Sequence, residues 1–262
     1  MRILFVGDVV GRPGRDAFEA LLPGLRERLD VDVCVVNGEN IANGVGITPR
    51  LAERLIAAGA DAITLGNHAW RREEIGPYLA SSPAVVRPAN FQAAAPGRGL
   101  TCVEARDSTP VAVLNLMGSL FLDPAHSMWE VVDDLVEEAR AATPVVVVDV
   151  HAEATSEKVA LASWLDGRVT AVLGTHTHVQ TADARVLPGG TAAVTDVGMT
   201  GPHDSVIGVE TELAIRRMRT GMPVRFETAS SGVRLEGALV TCDPATGRAS
   251  AIEPVRVPWP AT

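Results

Sequence analysis

Aromatic side chains are scarce in this chain of 262 residues: one Tyr, five Phe and four Trp, 4% of the whole. With an apolar fraction of 47%, a sizeable core must be packed mainly from Val, Ile, Leu and Ala. Cysteine is equally thin. Cys34, Cys102 and Cys242 are odd in number and far apart, which speaks against a disulfide framework. Positive charge is in deficit: the formal net charge is −9 and the pI is near 5.2. That opposes broad electrostatic binding to a nucleic-acid duplex, which calls for clustered Lys and Arg. It leaves a phosphate substrate open, because bound cations reverse the local field. The apolar run in Arg2–Asp8 is too short for a signal peptide, and no stretch is long and apolar enough to span a bilayer. A cytoplasmic protein, one domain over residues 1–262, is the expectation, with self-association left open.

What the sequence does have is a recurring way of ending its apolar runs. AVLGTHTH, residues 171–178, closes on His176 and His178, two imidazoles at spacing i, i+2 that suit a metal ion. Four other runs also stop at a metal-capable residue. ILFVGD ends at Asp8, VCVVNGEN at Glu39 and Asn40, AITLGNH at Asn67 and His68, and VVVVDVH at His151. In layered α/β proteins the carboxyl ends of strands share one rim, where ligands gather. Five such endings predict a polar, metal-binding rim assembled from most of the chain.

Periodicity predicts strands at 2–7, 31–36, 62–65, 111–116, 145–150 and 170–173, with helices at 16–29, 48–58, 72–79, 127–141 and 153–165 between them. The region 83–110, rich in Pro and Gly, reads as short strands and turns. The last third changes character. A hairpin is predicted about Pro188-Gly189-Gly190, a helix at 210–219, and a terminal hairpin of 233–241 with 249–255. Alternating β and α units followed by hairpins point to an α/β (α+β) protein with mixed sheets and outer helices.

The motifs then become specific. GNH at 66–68 and GTHTH at 174–178 resemble two signatures of the calcineurin-like metallophosphoesterases. The fuller set, GDVVGRPGR, NGENIANGVGIT, GNHAW, DVHAEATSEK, GTHTHVQTAD and TDVGMTGP, resembles the YmdB-like branch of that superfamily from Asp8 to about Pro202. Two departures from the general superfamily pattern belong to that branch. Val10 stands where a D-x-H motif has its histidine, and Gly38-Glu39-Asn40 replaces GDxxD. The resemblance implies a four-layer αββα sandwich and a hydrolase of small phosphodiesters, with 2′,3′-cyclic nucleotides a favoured class, cleaved by metal-activated water.

It also implies a site. Two cations roughly 3.5–4 Å apart can hold a phosphodiester, activate water and stabilise the leaving oxygen. An anionic bridge between them reduces their repulsion, and Glu39 is the candidate. By the family pattern, the first metal takes Asp8, Glu39, Asn40 and His178, and the second takes Glu39, Asn67, His151 and His176. Mixed N/O ligands suit Fe, Mn, Zn or Co; the resemblance leans toward iron or manganese. His68 would face the substrate as general acid, against the plainer role of capping the next helix. Asn43, Thr155 and His203 are candidate substrate contacts, set against ordinary turn, cap and loop roles. His126 reads as a surface residue, Asp149 as packing, and Arg71-Arg72-Glu73-Glu74 as a solvated helix start. Three other functions remain: hydrolysis of another phosphate ester, a nuclease acting on RNA ends, and a non-catalytic nucleotide sensor.

Overall fold

The computed structural model describes residues 1–260. The first half contains β1 (Arg2–Val6), β2 (Asp8–Val9), α1 (Gly11–Arg28), β3 (Val33–Asn37), α2 (Pro49–Ala57), β4 (Ala62–Thr64), α3 (Ile75–Ser81), β5 (Val85–Val86), β6 (Leu100–Glu104) and β7 (Pro110–Met117). After a 3₁₀ turn at Met128–Glu130 come α4 (Val132–Ala142), β8 (Val146–His151), α5 (Thr155–Trp164), β9 (Ala171–Thr175), β10 (Arg185–Val186), β11 (Ala192–Val194) and β12 (Met199–Pro202). Then follow α6 (Thr211–Thr220), β13 (Val233–Cys242) and β14 (Ala249–Pro258).

The strands form two mixed sheets. One runs β2-β12-β13-β1-β3-β4-β5, with β14 hydrogen-bonded to β13; the other runs β10-β11-β9-β8-β7-β6. In the first, β1, β3, β4 and β5 are parallel and β13 is antiparallel to β1. In the second, β7, β8, β9 and β11 are parallel, with antiparallel strands β6 and β10 at the edges.

Side chains alternate across each strand, and here both faces are buried. Ile3 and Phe5 of β1, with Val33 and Val35 of β3, meet Val111, Val113, Val147 and Leu173 of the second sheet in a shared middle cluster. The opposite face of β1 and β3, Leu4, Val6, Cys34 and Val36, packs under Phe18, Leu22, Leu25 and Leu55 of α1 and α2. Leu114, Leu116, Val146 and Val148 do the same beneath Val132, Val136 and Leu161 of α4 and α5. Three apolar clusters between four layers, two of helices and two of sheet, make an αββα sandwich. Burial on both faces is why these strands read as continuous apolar runs.

Several boundaries differ from expectation for local reasons. Helix α1 begins at Gly11, five residues early; Pro13 fits its first turn, where no intrahelical donor is needed. The 127–141 segment is split, because Ser127 and Glu130 form a capping box around the 3₁₀ turn before α4 starts. Helix α3 starts at Ile75 rather than Arg72, since the Arg72 guanidinium is drawn to the carbonyls of Ala42 and Val45. Arg72 is therefore not simply solvated. No helix among the described residues is long and apolar enough to cross a membrane.

Candidate metal centre and active site

The parallel strands of both sheets deliver their carboxyl ends to one rim. Asp8 follows β1 after Gly7 and is fixed within β2, which pairs Asp8 with Met199 of β12. Asn37 ends β3, and its side-chain oxygen accepts the backbone N–H of Glu39 at 3.1 Å, turning Glu39 and Asn40 inward. Gly66 ends the β4 segment; a Cβ there would overlap the His151 ring, so only glycine lets that imidazole reach the rim. His151 terminates β8, and Thr175, His176 and His178 follow from β9.

Asp8, Glu39, Asn40 and His151 are buried, and His68, Asn67, His176 and His178 are partly so. Their polar atoms converge. Nε2 of His151 lies 3.1 Å from Glu39 Oε1, 3.0 Å from Asn67 Oδ1 and 3.0 Å from His176 Nδ1. Nearby, Asn40 Nδ2 is 3.2 Å from both Asp8 Oδ1 and His178 Nε2, and that imidazole nitrogen is 3.6 Å from Asp8 Oδ1. Glu39 joins the two groups, since Asn40 Nδ2 is also 3.5 Å from its Oε1.

The outward nitrogen of each histidine is tied to an acceptor. The Thr175 hydroxyl donates to Asp149 at 2.7 Å and so accepts from His151 Nδ1 at 2.8 Å. His178 Nδ1 donates to the Ile207 carbonyl at 3.0 Å, and His176 Nε2 to the Glu153 carboxylate at 3.2 Å. That leaves His151 Nε2 and His176 Nδ1 facing each other beside the Glu39 and Asn67 oxygens, and His178 Nε2 facing Asp8 and the Asn40 amide nitrogen. Lone pairs therefore outnumber protons at the centre, with the outer partners that metal-binding imidazoles require. Glu39, His151 and His176 bring their donor atoms within 4.8 Å of one another. This donor chemistry fits divalent cations.

Comparison with known proteins agrees. The model of the YmdB-like protein family matches residues 4–255. This chain belongs to the YmdB-like family. The YmdB-like chain is 48% identical to a Bacillus subtilis protein named 2′,3′-cyclic-nucleotide 2′-phosphodiesterase, over 98% of this chain and 97% of that one. A Thermus thermophilus crystal structure of a hypothetical protein superposes with a TM-score of 0.93 at 43% identity, covering 99% and 100% of the two chains. A crystal structure of a Mycoplasma pneumoniae phosphatase gives 0.90 at 33%, covering 98% and 93%. The calcineurin-like phosphoesterase YfkN of Bacillus subtilis shares the fold at 13% identity, with a TM-score of 0.59 over 98% of this chain and 90% of that one. The two mixed sheets are thus those of the metallophosphoesterase sandwich.

Charge at the rim of the YmdB-like chain is strongly coupled. Burial disfavours ionisation of Asp8 and Glu39, but His178 and His151 beside Asp8, and His151 and His68 beside Glu39, outweigh it and lower both carboxyl pKa values. Burial likewise opposes a charge on His151, yet Glu39, Asp8 and Asp149 push its pKa up to about 9. His176 falls to about 4, from burial first and then from His151. His178 is raised, Asp8 overcoming its burial, and His68 is lowered, chiefly by burial. Asp149 rises to about 6 because it is fully buried. It packs among Asn37, Asn115 and Thr175 and orients His151 through the hydroxyl between them.

A cavity of about 450 Å³ opens over the rim. Glu39, Asn40, His68, His176 and His178 form its polar floor, while Val10, Val45, Ile207, Val209 and Phe226 supply an apolar wall. Val10 occupies the place of the missing histidine and lines this wall. Asn43 borders the cavity at φ +57°. Thr155 instead opens α5, and His203 turns to Glu236 at 3.3 Å; neither lines the cavity. His126 is exposed beside Glu130. His176 and His178 both adopt positive φ, +94° and +64°. Such backbone costs about 1–3 kcal/mol per residue and persists only where the surroundings enforce it.

Proposed function

We propose that this chain is a dinuclear metal-dependent phosphodiesterase hydrolysing 2′,3′-cyclic nucleotides. The observation that carries the reading is the convergence of seven donor side chains beneath one cavity, four of which, Glu39, Asn40, His176 and His178, line it directly. Asp8, Glu39, Asn40 and His178 would hold one cation, and Glu39, Asn67, His151 and His176 the other, with Glu39 shared. Iron or manganese is the preferred occupant, and zinc or cobalt suits the same donors. Bound there, two cations supply positive charge to the phosphoryl oxygens and lower the pKa of water.

The chain's own residues do the rest. His68 stands at the cavity floor, its backbone N–H donating to Glu39 Oε2 at 2.9 Å and its Nδ1 lying 2.8 Å from Asn40 Oδ1. Asn40 turns Nδ2 toward Asp8 and His178 here; as a ligand it would present its amide oxygen there instead, a half-turn of the amide. Nδ2 would then donate to Nδ1 of His68, and the ring proton would reside on Nε2. His68 would thus aim its Nε2–H at the departing ribose oxygen without first becoming imidazolium, which burial disfavours; a proton passed to that oxygen would be returned to Nε2 by the water consumed in hydrolysis. The apolar wall accommodates the base. By likeness to the Bacillus subtilis relative, the bond broken is that to the 2′ oxygen.

Incubation of manganese-loaded protein with 2′,3′-cyclic AMP, followed by product separation, tests this reading. The expected product is 3′-AMP. Unchanged substrate with two ions bound would overturn it.

A further inference from the structure

Two of the sequence motifs have no part in the site so far: the end of DVHAEATSEK and the start of TDVGMTGP. They meet in the interior. Lys158, the only lysine in the chain, is buried at 3% exposure on α5, where a lysine is ordinarily solvated. Its Nζ donates to Asp196 Oδ2 at 3.1 Å, and Asp196 is itself 1% exposed. The same carboxylate oxygen accepts from the Thr177 hydroxyl at 2.6 Å and from the Thr177 backbone N–H at 3.1 Å. Asp196 Oδ1 accepts the N–H of Gly198 at 2.8 Å, which closes the arrangement. Gly174 makes room, since a Cβ there would press on the Lys158 stem and overlap the Thr195 carbonyl.

Thr177 is the residue between His176 and His178. Those two histidines carry the positive φ angles, and by the reading above they serve different cations. We infer that the buried Lys158–Asp196 pair, acting through Thr177, is the positioning device that holds both histidines at the metal centre. Without a fixed Thr177, the two flanking residues would relax out of the left-handed region, where non-glycine residues rarely stay. Each inward nitrogen would then leave its place. Burial raises the pKa of Asp196, and Lys158 opposes that rise while fixing the carboxylate toward Thr177. Lys158 and Asp196 lie outside the cavity, and Thr177 borders it with its hydroxyl and backbone N–H turned to Asp196, so the device acts on metal affinity ahead of chemistry. This inference rests on His176 and His178 being ligands.

The test is Mn²⁺ affinity, measured by chelator competition on the wild-type chain and on Thr177→Val, Thr177→Ser and Lys158→Met. Leu161→Ala, which removes a buried side chain from the same helix, is the control for lost stability. Thr177→Val should weaken binding of both ions by about 10–100-fold, the usual effect of losing a partner that orients a ligand. Thr177→Ser, which keeps the hydroxyl, should restore it, and Leu161→Ala should bind as wild type despite a lower melting temperature. Lys158→Met should resemble Thr177→Val where it folds. Wild-type affinity in Thr177→Val, or equal losses in Thr177→Ser and Leu161→Ala, would overturn the inference alone. A wild-type chain that binds no Mn²⁺ would overturn it together with the reading on which it rests.

Discussion

Nδ1 of His176 lies 3.0 Å from Nε2 of His151, with Glu39 Oε1 3.1 Å from the same Nε2. Two ring nitrogens this close must share a proton or face a common cation. The proton belongs to His151, whose pKa is raised to about 9 against its burial by Glu39, Asp8 and Asp149, while burial and His151 hold His176 down at about 4.

A cation must therefore displace a proton to reach His151. Below about pH 9 the affinity for metal should rise with pH, about tenfold per unit for each proton released. Calorimetric titration with Mn²⁺ at pH 7, repeated in buffers of different ionisation enthalpy, should show at least one proton released per chain. No net release would count against His151 as a ligand.

His68 can be probed with the leaving group. A ribose alkoxide leaves poorly and benefits from protonation, whereas nitrophenolate is already a stable anion. His68→Gln should slow cyclic-nucleotide hydrolysis by about 10²–10⁴-fold, the range of general acid–base catalysis. Hydrolysis of bis-nitrophenyl phosphate should fall far less, with both metals retained. Equal losses on the two substrates would assign His68 to positioning or phosphate binding.

Asn40 should have two separable roles. Asn40→Ala removes the amide oxygen and should empty the first metal site while leaving the second largely occupied. Asn40→Asp retains a ligand oxygen but lacks the N–H for His68. It should keep both metals and reproduce the leaving-group dependence of His68→Gln. Loss of both ions from Asn40→Ala would show that Asn40 does not serve the first site selectively.

Arg72 supports the substrate cavity from outside. It donates to the carbonyls of Ala42 at 2.9 Å and Val45 at 3.2 Å, at the two sides of the Asn43-Gly44 turn that borders the cavity. Each such bond is worth about 1 kcal/mol. Arg72→Ala should raise KM roughly 3–30-fold, by the same arithmetic, with kcat and metal content little changed. A drop in kcat at constant KM would place its effect on the transition state instead.

The fold was legible wherever a strand is buried on both faces, because β1, β3, β7 and β8 then leave uninterrupted apolar runs. The places where those runs stop located the rim, since a buried strand must end where its chain meets polar groups. Contacts between distant segments were not legible. Arg72 lies in a run of charges that reads as solvent-facing, and only the folded chain brings the Ala42 and Val45 carbonyls to it. His203 reads as a loop histidine near substrate, but its Nε2 lies 3.3 Å from Glu236, which Arg234 and Arg256 also hold, and it does not line the cavity. The left-handed backbone of His176 and His178 has no signal in residue type, because Thr177 enforces it through Asp196 and Lys158. Glu153 and Ile207, which orient His176 and His178, carry no pattern either.

The central claim is that two cations held by this rim make cyclic-nucleotide hydrolysis run. Metal-stripped protein titrated with Mn²⁺, with bound ions and hydrolysis of 2′,3′-cyclic AMP followed in the same samples, tests it most directly. Hydrolysis should be negligible without metal, and should rise with occupancy to a plateau at two ions per chain. Full turnover in the stripped protein, or a plateau at one ion per chain, would contradict the account.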